Sequence, residues 1–222
     1  MQGIGFLLMG LSGLGLVAGG ALVLFALRTD RLDLAKQVGT FALGWAALYF
    51  VVLTGTSLTS QEKVLDLKER KAFCGLYLDC HLGVSVEAVQ RVSHVGQGAE
   101  QVQADDVFYL ITVRVNNDGM QARLPLRNPK ATLIDAYGVT YTRSLEAEQA
   151  LAEAEAEGVP IAFARSVSAG HSYTKTIIFD VPSTVRAPKL LVTQGMVLDQ
   201  FIERFLIGDE DSLFHRKTVF SI

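Results

Sequence analysis

Two long stretches of this chain lack charge altogether. Gly3 to Leu27, "GIGFLLMGLSGLGLVAGGALVLFAL", and Val38 to Thr59, "VGTFALGWAALYFVVLTGTSLT", contain no Asp, Glu, Lys or Arg. That excludes ordinary amphipathic core helices, which keep one face polar. It also argues against a transporter, because a proton path or ion site usually leaves an ionisable residue inside a span. A basic excess is missing as well: the net charge is −3, which offers no positive field for nucleic acid. Cysteine is scarce. Cys74 and Cys80 are too few for a disulfide scaffold, though enough for one bridge. The sequence has no nucleophile elbow, phosphate-binding glycine loop, HExxH or close carboxylate pair. No enzyme and no cofactor are therefore expected.

What is present begins with the length of those runs. Each exceeds the roughly 20 helical residues that cross a hydrocarbon core. Residues 1–60 read as a transmembrane hairpin, with helices at about 3–27 and 38–59. The opening "MQGIGF" has no basic n-region and no clean cleavage site follows, so the first run reads as a retained helix. The loop between them, Arg28 to Gln37, carries Arg28, Arg31 and Lys36 against Asp30 and Asp33. The positive-inside rule puts it in the cytoplasm, with the N-terminus and everything after Thr59 outside. Lys63, Lys68, Arg70 and Lys71 argue the other way from further along the chain.

Small residues recur in both helices. Gly10 lies on the first, where Gly15 and Gly19 form a GxxxG step; Thr40/Gly44 and Ala42/Ala46 repeat the spacing on the second. Such residues let helices approach closely in lipid, either within the hairpin or toward a partner, though glycine is also simply common in membrane helices. Trp45 and Tyr49, one turn apart, lie too deep for an interfacial belt and are candidates for partner contact.

After a stem at residues 61–81, the period changes from helical to two, and residues 82–222 read as an antiparallel β-sandwich. "LGVSVEAV" alternates, and "VFYLITVRVNNDG" sets Val107, Tyr109, Ile111, Val113 and Val115 on one face before an Asn-Asp-Gly turn. "ARLPL" is a short strand that Pro125 places at an edge or a bulge, "ATLIDAYGVTYTRS" a hairpin around Asp135 to Gly138, and "HSYTKTIIFDVP" and "PKLLVTQG" are two more strands. "SLEAEQALAEAEAEG", Ser144 to Gly158, interrupts them as a helix with a serine N-cap. Its apolar residues are mostly alanine, so it is expected to be a surface insertion. Its acidic face, with Glu148, Glu153 and Glu155, is either a solvated face or a contact for a basic partner. In the tail, Phe201, Ile202, Phe205 and Leu206 have helical spacing and "HRKTVFSI" reads as a last strand. Asp209-Glu210-Asp211 lacks the alternating ligands and glycine of a calcium loop, so a surface turn is expected.

"FYLITVRVNNDG", "ATLIDAYGVTYTRS" and "SAGHSYTKTIIFDVP", within residues 82–195, resemble bacterial membrane-anchored extracytoplasmic immunoglobulin-like domains of unknown function. In these, a glycine-led turn introduces a strand ending in Phe-Asp-Val-Pro. The resemblance implies a fold and a location, not a reaction. The two apolar helices and the alanine-glutamate insertion depart from it. The fold expected overall is a membrane-anchored all-β protein: a two-helix hairpin, then an immunoglobulin-like sandwich with a short helical insertion. The location expected is the bacterial inner membrane, crossed twice, with both termini on the periplasmic side.

Cys74 and Cys80-His81 invite several readings. Five residues separate the thiols, whereas covalent haem attachment needs two. Three ligands leave a catalytic zinc open, with no metal site expected. Cys80 and His81 as neighbours on a strand point to opposite faces, although a distant histidine could approach a thiol. Outside the cytoplasm the two cysteines should pair. An extended path would hold their Cα atoms about 20 Å apart, so the intervening chain must double back for a Cys74–Cys80 bridge.

Two functions compete. One is a non-catalytic accessory subunit of a larger membrane assembly, respiratory or photosynthetic in type. Its hairpin would dock in the bilayer against other subunits, and its sandwich would brace extracytoplasmic ones. The other is a membrane-anchored extracytoplasmic sensor or ligand-binding module, with His171, Tyr173 or the acidic turn lining a pocket. The short loop between the helices leaves no room for a cytoplasmic output domain, which weakens the second.

Overall fold

A computed structural model describes residues 2–73, 80–98, 101–154, 163–195 and 201–222. The chain forms two compact units: Met1–Gln61 with Val197–Lys217, and Glu62–Met196 with Thr218–Ile222.

The first unit is built on helices α1 (Gln2–Arg28) and α2 (Leu32–Leu58). Both are long and apolar enough to cross a membrane, and only 6% of each hydrophobic window is buried. The connection is shorter than the apolar runs suggest. Only Thr29, Asp30 and Arg31 lie outside the helices. Asp30 takes a positive φ of 55° and the Arg31 N–H donates to the Ala26 carbonyl at 2.8 Å. Helix α2 thus begins six residues before its uncharged run, because Leu32 to Gln37 can hydrogen-bond helically whether or not they are apolar.

The second unit is a β-sandwich. One sheet has the order β1 (Lys63–Leu65), β11 (Thr218–Ser221), β10 (Lys189–Thr193), β6 (Lys130–Ile134), β7 (Thr140–Tyr141). The other has the order β2 (Arg70–Phe73), β3 (Leu82–Val95), β4 (Val102–Asn117), β9 (Ser172–Val181). A small ribbon pairs β5 (Leu124–Pro125) with β8 (Ser166–Val167). Among the described residues, all pairings are antiparallel except β1 with β11. Alternation places Val84 and Val86 of β3, Ile111, Val113 and Val115 of β4, and Ile177 and Phe179 of β9 in one core. Leu133, Leu190, Val192 and Phe220 of the facing sheet join them. The hairpin between β6 and β7 turns where expected: the Asp135 Oδ1 accepts the Tyr137 and Val139 N–H groups, and Gly138 takes φ 81°.

Three boundaries differ from the sequence reading. Residues 63–65 and 70–73, read as stem, are strands of the two sheets. Val197–Lys217, read as sandwich, belongs to the helical unit. Helix α3 (Leu145–Ala154) is not a mere surface insertion. The Ser144 hydroxyl caps it by accepting the Ala147 N–H at 3.3 Å. Ala147 and Ala150 then pack with Val95, Ala104, Phe108 and Ile178 in a second core. Alanine lets the helix approach the sheet closely, so the sheet supplies the bulk that the helix lacks.

Candidate interaction site

The helical unit is stitched together by side chains the sequence marked, in roles it did not assign. The Trp45 indole N–H of α2 donates to the Ser12 hydroxyl of α1 at 3.1 Å. Trp45 therefore links the two helices of the hairpin. Gly19 faces α2: a Cβ there would lie 3.8 Å from both Ala42 and Val38. At Gly10, Gly13, Gly15, Gly20 and Gly44 an added Cβ meets no described atom within 4 Å. The Gly15/Gly19 step is thus split, with one glycine inside the hairpin and one outside. Of the small residues marked on α2, Ala42 meets Gly19; Thr40 is exposed and Ala46 half-buried.

The residues before β11 fold along the same helices. The Tyr49 hydroxyl donates to the Phe205 carbonyl at 2.6 Å, so Tyr49 holds the chain's own tail. The hydroxyls of Ser57 and Ser212 lie 3.0 Å apart, both buried, and the Arg216 N–H donates to the Ser60 hydroxyl at 2.9 Å. Gly5 of α1 lies against the tail so tightly that a Cβ would come within 2.4 Å of the Ile207 carbonyl oxygen. Leu53 of α2 and Leu206 of the tail are both fully buried, and Leu206 lies 3.4 Å from the same Cβ position. The acidic turn is part of this arrangement. The Asp209 carboxylate accepts the Asp211 N–H at 2.8 Å, and the Lys217 ammonium pairs with Asp211 and donates to the Glu210 carbonyl.

In the sandwich, the conspicuous charges are internal. Glu148, 4% exposed, meets Arg143 through two bonds of 2.7 and 2.5 Å, meets Lys175 at 2.9 Å, and accepts the Ile178 N–H at 3.3 Å. It holds α3 to β9, which corrects its reading as a partner contact. Its spacing on an alanine-rich helix gave no sign of this, because Lys175 and Ile178 are distant in sequence. Glu153 is exposed and accepts from Gln149 at 3.0 Å; Glu155 lies outside the described residues. Lys71, 3% exposed, sends its ammonium from β2 to the carbonyls of Val192 and Thr218, at 2.9 and 3.2 Å, joining the two sheets. It carries no information about membrane orientation.

Near the start of β3, the Arg70 guanidinium donates to the carbonyls of His81 and Cys80 and pairs with Asp118 at 2.8 Å. The Asp118 carboxylate also meets His81 Nδ1 at 2.9 Å. The His81 hydrogen bond, ahead of the Arg70 charge, holds the Asp118 carboxyl below its usual range, with burial opposing. Gly83 lets the Arg70 side chain cross here: a Cβ would fall 2.1 Å from Arg70 Nε and displace it. Cys74 lies outside the described residues, so its pairing with Cys80 stands as an expectation. Among the described residues, no three His, Cys, Asp or Glu side chains converge as a metal site. His171 bonds the Ala169 carbonyl, and the Tyr173 hydroxyl donates to the Phe163 carbonyl at 2.6 Å. Burial pushes the Tyr173 hydroxyl up to about 12.

No curated protein matches the chain. Solved structures similar to it include a secreted protein of Mycobacterium tuberculosis, 15% identical over 62% of this chain and 94% of that one, TM-score 0.43. An uncharacterised β-sandwich protein of Clostridium difficile is 12% identical over 73% and 95%, TM-score 0.43. The yjhA protein of Bacillus subtilis is 16% identical over 71% and 98%, TM-score 0.42. Residues 79–202, more than half of the 222, match the profile of a domain of unknown function, DUF4352. The chain therefore belongs to the DUF4352 family, and the resemblance read from its strands holds.

Proposed function

We propose that this protein is a two-pass membrane subunit whose sandwich lies outside the cytoplasm and braces other subunits of a larger assembly, without catalysis of its own. The observation that carries the reading is the helical unit's surface. Ile4, Leu7, Leu11, Leu14 and Val17 of α1, with Phe41 and Leu43 of α2, are exposed to a degree that water penalises. Lipid or other membrane helices are the solvent that such a surface fits. Gly10, Gly13, Gly15, Gly20 and Gly44 add open faces where neighbouring helices can come close. Arg28 and Arg31 at the tight connection support a cytoplasmic tip, with both helix outer ends on the opposite side. A Cys74–Cys80 bridge belongs to the same reading, since it requires the oxidising side.

Extraction in a mild detergent, followed by native mass measurement, tests the function. A complex containing this chain is expected. A species that always carries only one 24.1 kDa chain overturns it. Membrane-impermeant amine labelling tests the orientation: lysines of the sandwich should react in cells with an opened outer envelope and an intact inner membrane. Labelling only after the inner membrane is breached overturns it.

A further inference from the structure

The tail between β10 and β11 makes its contacts with α2 in order of height. Phe205 meets Tyr49, Ser212 meets Ser57, and Arg216 meets Ser60, beyond the helix end. Tyr49 precedes Leu58 by nine residues, about 13 Å along the axis at 1.5 Å per residue. Helical side chains lean toward the N-terminus, so the Tyr49 hydroxyl is no nearer the helix end than its backbone. Half a hydrocarbon core is about 15 Å. If α2 spans a bilayer, the Phe205 backbone lies deep within one leaflet.

The segment's chemistry suits that depth. Non-helical backbone survives at membrane depth only with its polar groups satisfied within the protein. The N–H groups of Phe205, Leu206, Asp209, Ser212 and Leu213 all donate to carbonyls of the same segment, and Tyr49 caps the Phe205 carbonyl. Phe201 and Phe214 nevertheless point outward, 57% and 65% exposed. Phe201 rests edge-on against Phe205, with ring centroids 5.3 Å apart. Phe214 holds a φ of 64°, a conformation that costs a bulky residue energy. Four carboxylates (Glu203, Asp209, Glu210, Asp211) against two cations (Arg204, Arg216), with Lys217 just beyond, give no electrostatic pull toward anionic lipid. Arg204 is exposed and its long stem can reach a headgroup from below.

The geometry points to residues 201–216 as a re-entrant element that dips into the outer leaflet, with Phe201 set in acyl chains and Phe214 at the headgroup boundary. Its partner is the lipid itself. The inference rests on the membrane reading proposed above, and the experiment separates the two. Trp45 is the only tryptophan, so the wild-type chain in phosphatidylcholine nanodiscs carries its own depth probe. With bromine on the lipid acyl chains, Trp45 should lose most of its emission. In a Trp45→Phe background, Phe201→Trp should be quenched by acyl-chain bromine, and Phe214→Trp more strongly by bromine near the headgroup. Tyr137→Trp, on an exposed turn of the sandwich, should keep its emission. Adding phosphatidylglycerol should leave the pattern unchanged. If Trp45 is quenched while Phe201→Trp and Phe214→Trp behave like Tyr137→Trp, the re-entrant element is refuted and the spanning hairpin stands. That result would leave the two rings for a protein neighbour. An unquenched Trp45 refutes both.

Discussion

The sandwich and the helical unit use apolar side chains in opposite ways. The sandwich encloses them: Val84, Ile111, Val113, Phe179 and Phe220 are all but inaccessible. The helical unit turns most of them outward and buries only a few, Leu53 and Leu206 among them, beside small and hydroxylated residues, Ser12, Gly5, Gly19 and Ser57. The difference teaches what holds each together. Water drives the sandwich's core to close. Where the surroundings are as apolar as the side chains, close packing and hydrogen bonds must do it instead. Charge follows the same division. The sandwich buries Glu148, Lys71 and Lys175 with partners, while α1 and α2 carry charge only at Arg28, Asp33 and Lys36 near their connection.

Perturbations can sharpen or break this contrast. The largest effect is expected at Glu148. Truncating one member of a buried ion pair leaves its partners uncompensated and costs about 3–5 kcal/mol. Glu148→Ala in the full chain in detergent should lower the urea midpoint of the sandwich accordingly, while Glu153→Ala leaves it in place. Equal effects would return α3 to the status of a loose surface helix. Next comes the cysteine pair: if bridged, reduction should cost roughly 2–3 kcal/mol, and alkylation before reduction should add no mass. Free thiols in protein purified without reductant would contradict the oxidising location.

Within the helical unit, glycines should divide by position. Gly5→Ala must push against the Ile207 carbonyl, an overpacking worth about 1–3 kcal/mol, and should speed tryptic cleavage at Arg204 and Arg216. Gly10→Ala, in open space, should not. Trp45→Phe removes the bond to Ser12, and a hydrogen bond between membrane helices is worth only about 0.6 kcal/mol. A small fall in thermal midpoint is expected, and a collapse of the hairpin would show that Trp45 does more. The smallest effect concerns pH. Asp118 has its carboxyl lowered in the folded chain, chiefly by His81. Its contribution is present above the unfolded value, near pH 4, and lost as pH falls through the lower folded value. Asp118→Asn should therefore slightly lower the sandwich's stability at neutral pH and leave it nearly unchanged at the acid end, which flattens the acid limb.

The parts legible in sequence are those with a period. Uncharged runs announced α1 and α2, and alternation announced β3, β4, β9 and the β6–β7 hairpin. Lys63–Leu65 and Arg70–Phe73 are too short to show a period, so they passed for a stem. The role of Glu148 needed Lys175, 27 positions away, and that of Tyr49 needed Phe205, 156 positions away.

Sequence alone determined where the chain is apolar, where it alternates and where it turns, because those follow from residues within a few positions of each other. Only the tertiary structure decided that the tail before the last strand folds onto the hairpin, that alanines of α3 complete a second core, and that β1 lies parallel to β11. Each depends on contacts closed over long loops, whose register no local pattern encodes.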